Sequence, residues 1–197
     1  IAVTGVQTCA LPISEQMKSK LGLDEAEVIP NGVDTDFYHS MDKKHCRKKL
    51  ELPMDANIIL FLANPDYNVK NLPLAEKAVN HLNRKSVYLK TLTGKTAEKV
   101  RLWLNAADVL IMTSFHEGSP NVIKEAMACN CPIVSTDVGD VGKVVGKTEG
   151  CWLTSYEVHD VRNKLEKAIS FARNKVKTTG RQRIMQLGLD SGSVAER

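Results

Sequence analysis

Apolar positions along the chain fall into two alternating rhythms. "NIILFLA" (57–63) is an unbroken apolar run of strand length, and "NLPLAEKAVNHL" (71–82) then spaces Leu72, Ala75, Ala78, Val79 and Leu82 along one helix face. "SVYLKTL" (86–92) predicts a second strand, and "AEKVRLWLNAAD" (97–108) a second helix with Val100, Trp103, Leu104 and Ala107 on one side. "DVLIMTS" (108–114), "NVIKEAMAC" (121–129) and "PIVSTD" (132–137) repeat the order strand, helix, strand. A short helix near Val141 to Val145, a strand at "CWLTS" (151–155) and a long amphipathic helix from Val158 to Val176 follow, with one more short helix in "RQRIMQLGLD" (181–190).

Strands apolar on both faces, separated by helices, imply βαβ units and a parallel sheet covered on both sides. The expected fold is therefore α/β, a Rossmann-like parallel sheet. Right-handed crossovers gather the strands' C-terminal ends and the helix N-termini on one edge, where doubly wound sheets bind ligands. Upstream, "EVIPNGVDTDFYH" (27–39) contains a Pro-Asn-Gly turn in which Gly32 is available for positive φ.

Composition narrows the function classes. The 197 residues fit one ordinary domain, 43% hydrophobic and 25% charged, with a net charge of +4. No run of Lys and Arg interleaved with aromatics marks a nucleic-acid face. The basic residues Arg162, Lys164, Lys167, Arg173, Lys175 and Lys177 read as a solvated helix face, with peripheral contact to an anionic membrane or to a further domain as the alternative. No apolar stretch of about 20 residues exists to span a bilayer. Cys46, Cys129, Cys131 and Cys151 read as reduced buried thiols, because the C-x-C at 129–131 lacks a second ligand pair at zinc spacing.

The stretch "VTGVQTCALPI" (3–13) is uncharged and continues nothing after it. It resembles a translated sequencing adapter, so residues 1–13 are expected to be non-native and residues 14–197 to form the domain.

The chemistry converges on "HEGSPNVIKEAM" (116–127). Ser119 suits an N-cap and Pro120 the first helical position. The free N–H groups of Asn121 and Val122, at the positive end of the helix dipole, then offer an anion site, for which phosphate is the natural guest. Glu117 lies just outside that site and Glu125 about one turn inside, with Val122 and Ile123 facing the core. A carboxylate repels phosphate, so each suits neutral sugar hydroxyls on either side of a diphosphate. The plainer alternative is one solvated loop residue and one helix-surface residue. His116 reads as a loop histidine, and Gly139 and Gly142 as a turn before a short helix. Asp137 and Asp140 lack a metal-binding pattern.

Glu117 and Glu125 with seven residues between them, Gly118 after the first, and "EAMA…PIVSTDVGD" downstream resemble the C-terminal, donor-binding domain of retaining family 4 glycosyltransferases of the GT-B fold. "VIPNGVDTDFY", "NPDYNVKNLPLAEKA" and "NAADVLIMTS" extend the resemblance over roughly residues 27–172, in the family's order. The resemblance implies transfer of a sugar, with retention, from a nucleotide diphosphate sugar, in surface polysaccharide synthesis on the cytoplasmic side of the membrane. It implies Glu117 as the catalytic residue on the donor sugar and Glu125 on the ribose. Gly118, Ser119, Pro120, Asn121 and Val122 would contact sugar and phosphate, Lys70 would neutralise the diphosphate, and the segment Leu92 to Lys95 would approach the base. No metal or other cofactor is implied. Asn64 stands where the family commonly carries an arginine, which puts the charged clamp in doubt; Lys95 is the nearby basic alternative.

The resemblance also places an acceptor domain upstream, to hold a glycan or lipid-linked sugar. That domain is absent from these 197 residues, and the C-terminal end looks cut, so the chain as written is expected to bind nucleotide without catalysing transfer. Two other classes stay open: a non-catalytic nucleotide-sugar-binding module and a GT-B nucleotide-sugar epimerase.

Overall fold

The computed structural model describes residues 12–84, 86–174 and 177–196. Most of the adapter-like stretch, residues 3–11, lies outside the described residues. Its last two residues pack on the domain: Pro12 O accepts from Ile29 N at 3.1 Å, and Ile13 lies against Gly118.

Five strands, β1 (Asn57–Leu62), β2 (Val87–Leu92), β3 (Val109–Met112), β4 (Ile133–Thr136) and β5 (Cys151–Thr154), form one parallel sheet in the order β2-β1-β3-β4-β5. The helices are α1 (Glu15–Lys20), α2 (Lys43–Lys49), α3 (Leu72–Asn80), α4 (Ala97–Ala106), α5 (Asn121–Ala128), α6 (Val141–Val145), α7 (Val158–Arg173), α8 (Gly180–Gln186) and α9 (Ser191–Ala195). The expected α/β Rossmann-like architecture is the one observed.

Period-two alternation within the central strands builds two cores. Ile59, Phe61, Val109, Ile111 and Val134 face α3 and α7, which supply Ala75, Ala78, Leu165 and Ile169. Ile58, Leu60, Leu110 and Ile133 face the opposite layer, where Trp103, Leu104, Ile123, Met127, Val144 and Ile184 close the core. β1, β3 and β4 are thus buried on both faces. β2 departs from the expectation: as an edge strand it leaves Tyr88 half exposed, and Lys90 covers the Trp103 ring at 5.8 Å.

At the N-terminal edge of the sheet a buried ion cluster fixes α2. Asp108 Oδ2 accepts from Arg47 Nη2 and from Ile58 N, both at 2.7 Å, and Asp108 Oδ1 accepts from Lys43 at 2.9 Å. The Pro-Asn-Gly segment is tied down differently from the expected turn. Gly32 does not take positive φ. A Cβ there would come within 3.0 Å of Ser191 Cα, and Val33 bridges to Asp190, so glycine is needed for close backbone approach. The basic residues along and after α7 are solvated as expected, with Lys167, Arg173 and Lys177 exposed, and they make a few local bonds. Arg162 pairs with Glu166 at 3.0 Å, Arg173 donates to Asn57 Oδ1 at 3.0 Å, and Lys177 donates to Met41 O at 2.7 Å.

The strand order sets the site. The connection from β1 to β2 runs toward one edge, whereas β3 lies on the other side of β1, so the loops leaving β1 and β3 diverge at their C-terminal ends.

Candidate functional site

A groove opens at that divergence. One part, about 200 Å³, is lined by Leu62 and Ala63 after β1, by Lys70, by Ser114 and Glu117 after β3, and by Pro120 to Val122 at the start of α5. The adjoining part, about 290 Å³, shares Leu62, Ala63 and Val122 and adds Thr93, Gly94, Lys95 and Glu125. Glu117 and Glu125 therefore occupy opposite ends of one groove, with the N-terminus of α5 between them.

The loops after β1 and β3 are laced together. Phe115 N donates to Val69 O at 2.8 Å, and Thr113 Oγ1 lies 2.9 Å from Asn71 O. The 3₁₀ turn Asn68–Lys70 that ends at the left-handed Asn71 (φ 51°) aims Lys70 back across the gap. There its ammonium meets Glu117 Oε1 at 2.7 Å, and Ser114 Oγ donates to the same oxygen at 2.7 Å. Glu117 Oε2 takes no bond from the described residues. Asn64 begins the β1 loop, where its Oδ1 accepts from Asp66 N at 3.0 Å as a turn-forming side chain. It borders Ala63 without lining the groove.

The start of α5 differs from the expected pattern. The helix begins at Asn121 with Pro120 as the cap residue, and no side chain caps it. Ser119 does not cap: its hydroxyl accepts from the Lys124 ammonium and donates to Asp140 Oδ2 at 2.6 Å. The N–H groups of Asn121 and Val122 consequently have no intrahelical acceptor. Val122 is half-buried: it packs against the core beside Ile123, as expected, and also lines the groove.

Glu125 is half-buried beside the Tyr38 hydroxyl. Burial pushes its carboxyl above the ordinary range, a shift the Tyr38 hydroxyl opposes. Burial, then the Glu125 charge, push the Tyr38 hydroxyl up as well. His116 is exposed on the loop. Asp137 accepts from Gly142 N at 3.0 Å, which accounts for that aspartate as a turn element.

Sequence reading missed Tyr38, Ser114 and the group behind the loop formed by Asn31, Lys124 and Asp140. Tyr38 and Asn31 stood in the quoted "PNGVDTDFY" segment, but no spacing rule connects them to α5. Lys124 gave no signal at all, because a lysine between Ile123 and Glu125 reads as a helix-surface residue.

Gly118 and Gly139 pack backbone to backbone. Gly139 has φ +61°, and a Cβ there would fall 2.1 Å from Gly118 O. Asp140 N donates to that same carbonyl at 3.1 Å. The "DVGD" segment is thus the support of the Glu117 loop, beyond the simple turn expected of it.

This sheet, with helices on both faces and its groove at the switch point, is a Rossmann-like fold that matches GT-B glycosyltransferase structures. Residues 74–171 match the family Glycosyl transferases group 1, and the chain carries a glycosyltransferase domain of that kind. It is 30% identical over 153 residues to a putative teichuronic acid biosynthesis glycosyltransferase of Bacillus subtilis strain 168, covering 68% of this chain and 39% of that protein. The chain spans about two fifths of the length of the curated relatives it matches. Among solved structures, sucrose-phosphate synthase from Thermosynechococcus elongatus superposes with a TM-score of 0.76 at 19% identity, over 94% of this chain and 55% of that one. The Anabaena protein HepE, crystallised in complex with UDP-glucose, superposes with a TM-score of 0.71 at 17% identity, over 94% and 60%.

Proposed function

We propose that the groove holds a nucleotide diphosphate sugar and that the whole protein transfers its glycosyl group, with retention, to an acceptor glycan or lipid-linked sugar. The observation that carries this reading is the single groove with Glu117 and Lys70 at one end, Glu125 at the other, and the uncapped N-terminus of α5 between them. The free N–H groups of α5 and the Lys70 ammonium take the diphosphate, and stabilise it as it departs. Glu125 accepts from the ribose hydroxyls, and the Thr93–Lys95 segment borders the base. Glu117, held by Ser114, turns Oε2 toward the hydroxyls of the donor sugar. This chemistry calls for no metal ion, because lysine and the helix dipole supply the positive charge that stabilises the anionic leaving group.

The similarity to the putative teichuronic acid biosynthesis glycosyltransferase supports a role in surface polysaccharide synthesis. The UDP-glucose complex of HepE supports a UDP-sugar as the first donor to try. The acceptor is bound by a second domain of the whole protein, across the cleft from Glu117.

Donor turnover in the whole protein tests the catalytic part. Glu117→Gln should bind UDP as the unaltered protein does and lose most of its transfer activity. Full activity in that variant would remove Glu117 from the chemistry.

A further inference from the structure

Behind the loop that carries Glu117 lies a polar cluster with no place in the donor contacts above. Lys124, on the first turn of α5, is fully buried. Its ammonium donates to Asn31 O at 2.7 Å and to Ser119 Oγ, and lies 3.4 Å from Asp140 Oδ2. Ser119 Oγ donates onward to Asp140 Oδ2, while Asn31 Nδ2 donates to Ser119 O at 3.2 Å. The carbonyl of Gly118 is taken by Asp140 N. The hydroxyl and carbonyl of Ser119 and the carbonyl of Gly118 thus all end on this cluster.

A buried ammonium is expensive to desolvate, and burial does depress the Lys124 pKa, with Asp140 opposing the shift. A methionine would fill the same volume without that cost. What methionine cannot do is donate simultaneously to Asn31, Ser119 and Asp140, which come from three separate segments of the chain. Lys124 and Ser119 both engage Asp140 Oδ2, while its Oδ1 is buried with no hydrogen-bond partner among the described residues, so the ammonium supplies the charge opposite this carboxylate.

We propose that Lys124 is a positioning residue of the donor site: by tying Asn31, Ser119 and Asp140 together it sets the backbone of Gly118 to Pro120, and with it the direction of Glu117 and the α5 N–H groups. The proposal rests on the donor-site reading above for its ligand, but the geometry it claims can be measured without ligand.

The test compares Lys124→Met with Asp108→Asn, which weakens the buried cluster at the opposite edge of the sheet. Hydrogen exchange is followed at the amides of Gly118, Ser119, Asn121 and Val122. Affinities for UDP and UMP are measured well below each variant's melting temperature. A positioning lysine predicts faster exchange at those amides in Lys124→Met alone. It also predicts a UDP affinity lower by on the order of 10–100-fold, the range seen when a supporting shell is removed, with UMP changed much less. If Lys124→Met melts lower but keeps the exchange pattern and the UDP-to-UMP ratio, Lys124 only fills space and the proposal fails. If the unaltered chain binds neither nucleotide, the donor reading fails, while the exchange result still decides the positioning claim. Should Lys124→Met not fold, Asp140→Asn removes the same charge pair more gently and is read by the same two measurements.

Discussion

Lys70 and Glu117 meet at 2.7 Å across the gap between two loops that leave neighbouring strands of the sheet. Across the groove each neutralises the other. A bound diphosphate would compete for the ammonium, freeing the carboxylate for sugar hydroxyls. The pair therefore couples the phosphate and sugar ends of the site.

That coupling predicts an asymmetry. Lys70→Met should weaken UDP binding by roughly 1.5–3 kcal/mol, the span for hydrogen bonds to charged groups. Glu117→Gln should leave UDP affinity level or slightly improved, because Lys70 is released. Calorimetry on both variants checks this, and equal losses in the two would contradict the coupling.

Glu125 should set function against stability. Its folded-state pKa is raised by burial, so the ionised carboxylate costs stability above that pKa, and the cost vanishes as pH falls below the unfolded value of about 4.3. Glu125→Gln should melt higher than the unaltered chain at neutral pH, and the gap should close on acidification through that window. The same variant should bind nucleotide more weakly. Thermal melts between pH 4 and 8 measure the first effect.

Two glycines with nearly the same backbone angle should behave differently. Gly139 (φ +61°) would drive a Cβ into Gly118 O at 2.1 Å, whereas Gly94 (φ +60°) has nothing within 4 Å. Gly94→Ala should cost only the left-handed strain of about 1–2 kcal/mol. Gly139→Ala should cost well beyond that or prevent folding, as read from urea titrations.

Asp108→Ala leaves Arg47 buried without its carboxylate. The expected loss is about 3–5 kcal/mol of stability, with nucleotide affinity unchanged in the protein that remains folded. A matching loss of affinity would mean that the two edges of the sheet are mechanically linked.

Much of this fold was legible in the chain because the determinants are local. Unbroken apolar runs became β1, β3 and β4, and helical spacing became α3, α4 and α7. β2 was read as doubly buried because its edge position depends on strand order, which periodicity does not encode. Glu117, Lys70 and Glu125 were nominated by motif and resemblance, and the structure brings them to one groove. The failures are all long-range. Ser119 looks like a helix cap until Asp140, 21 residues on, takes its hydroxyl. Lys124 looks like a surface lysine until the carbonyl of Asn31, 93 residues away, covers it. Gly32 looks like a turn glycine until Ser191 packs on it.

The most direct test of the account is calorimetric titration of this chain with UDP, GDP and ADP, alongside Glu125→Ala. The account predicts that one nucleotide binds in preference and that Glu125→Ala weakens it by roughly 1–3 kcal/mol. Binding that ignores Glu125, or no binding of any nucleotide by a folded chain, would contradict the donor site described here.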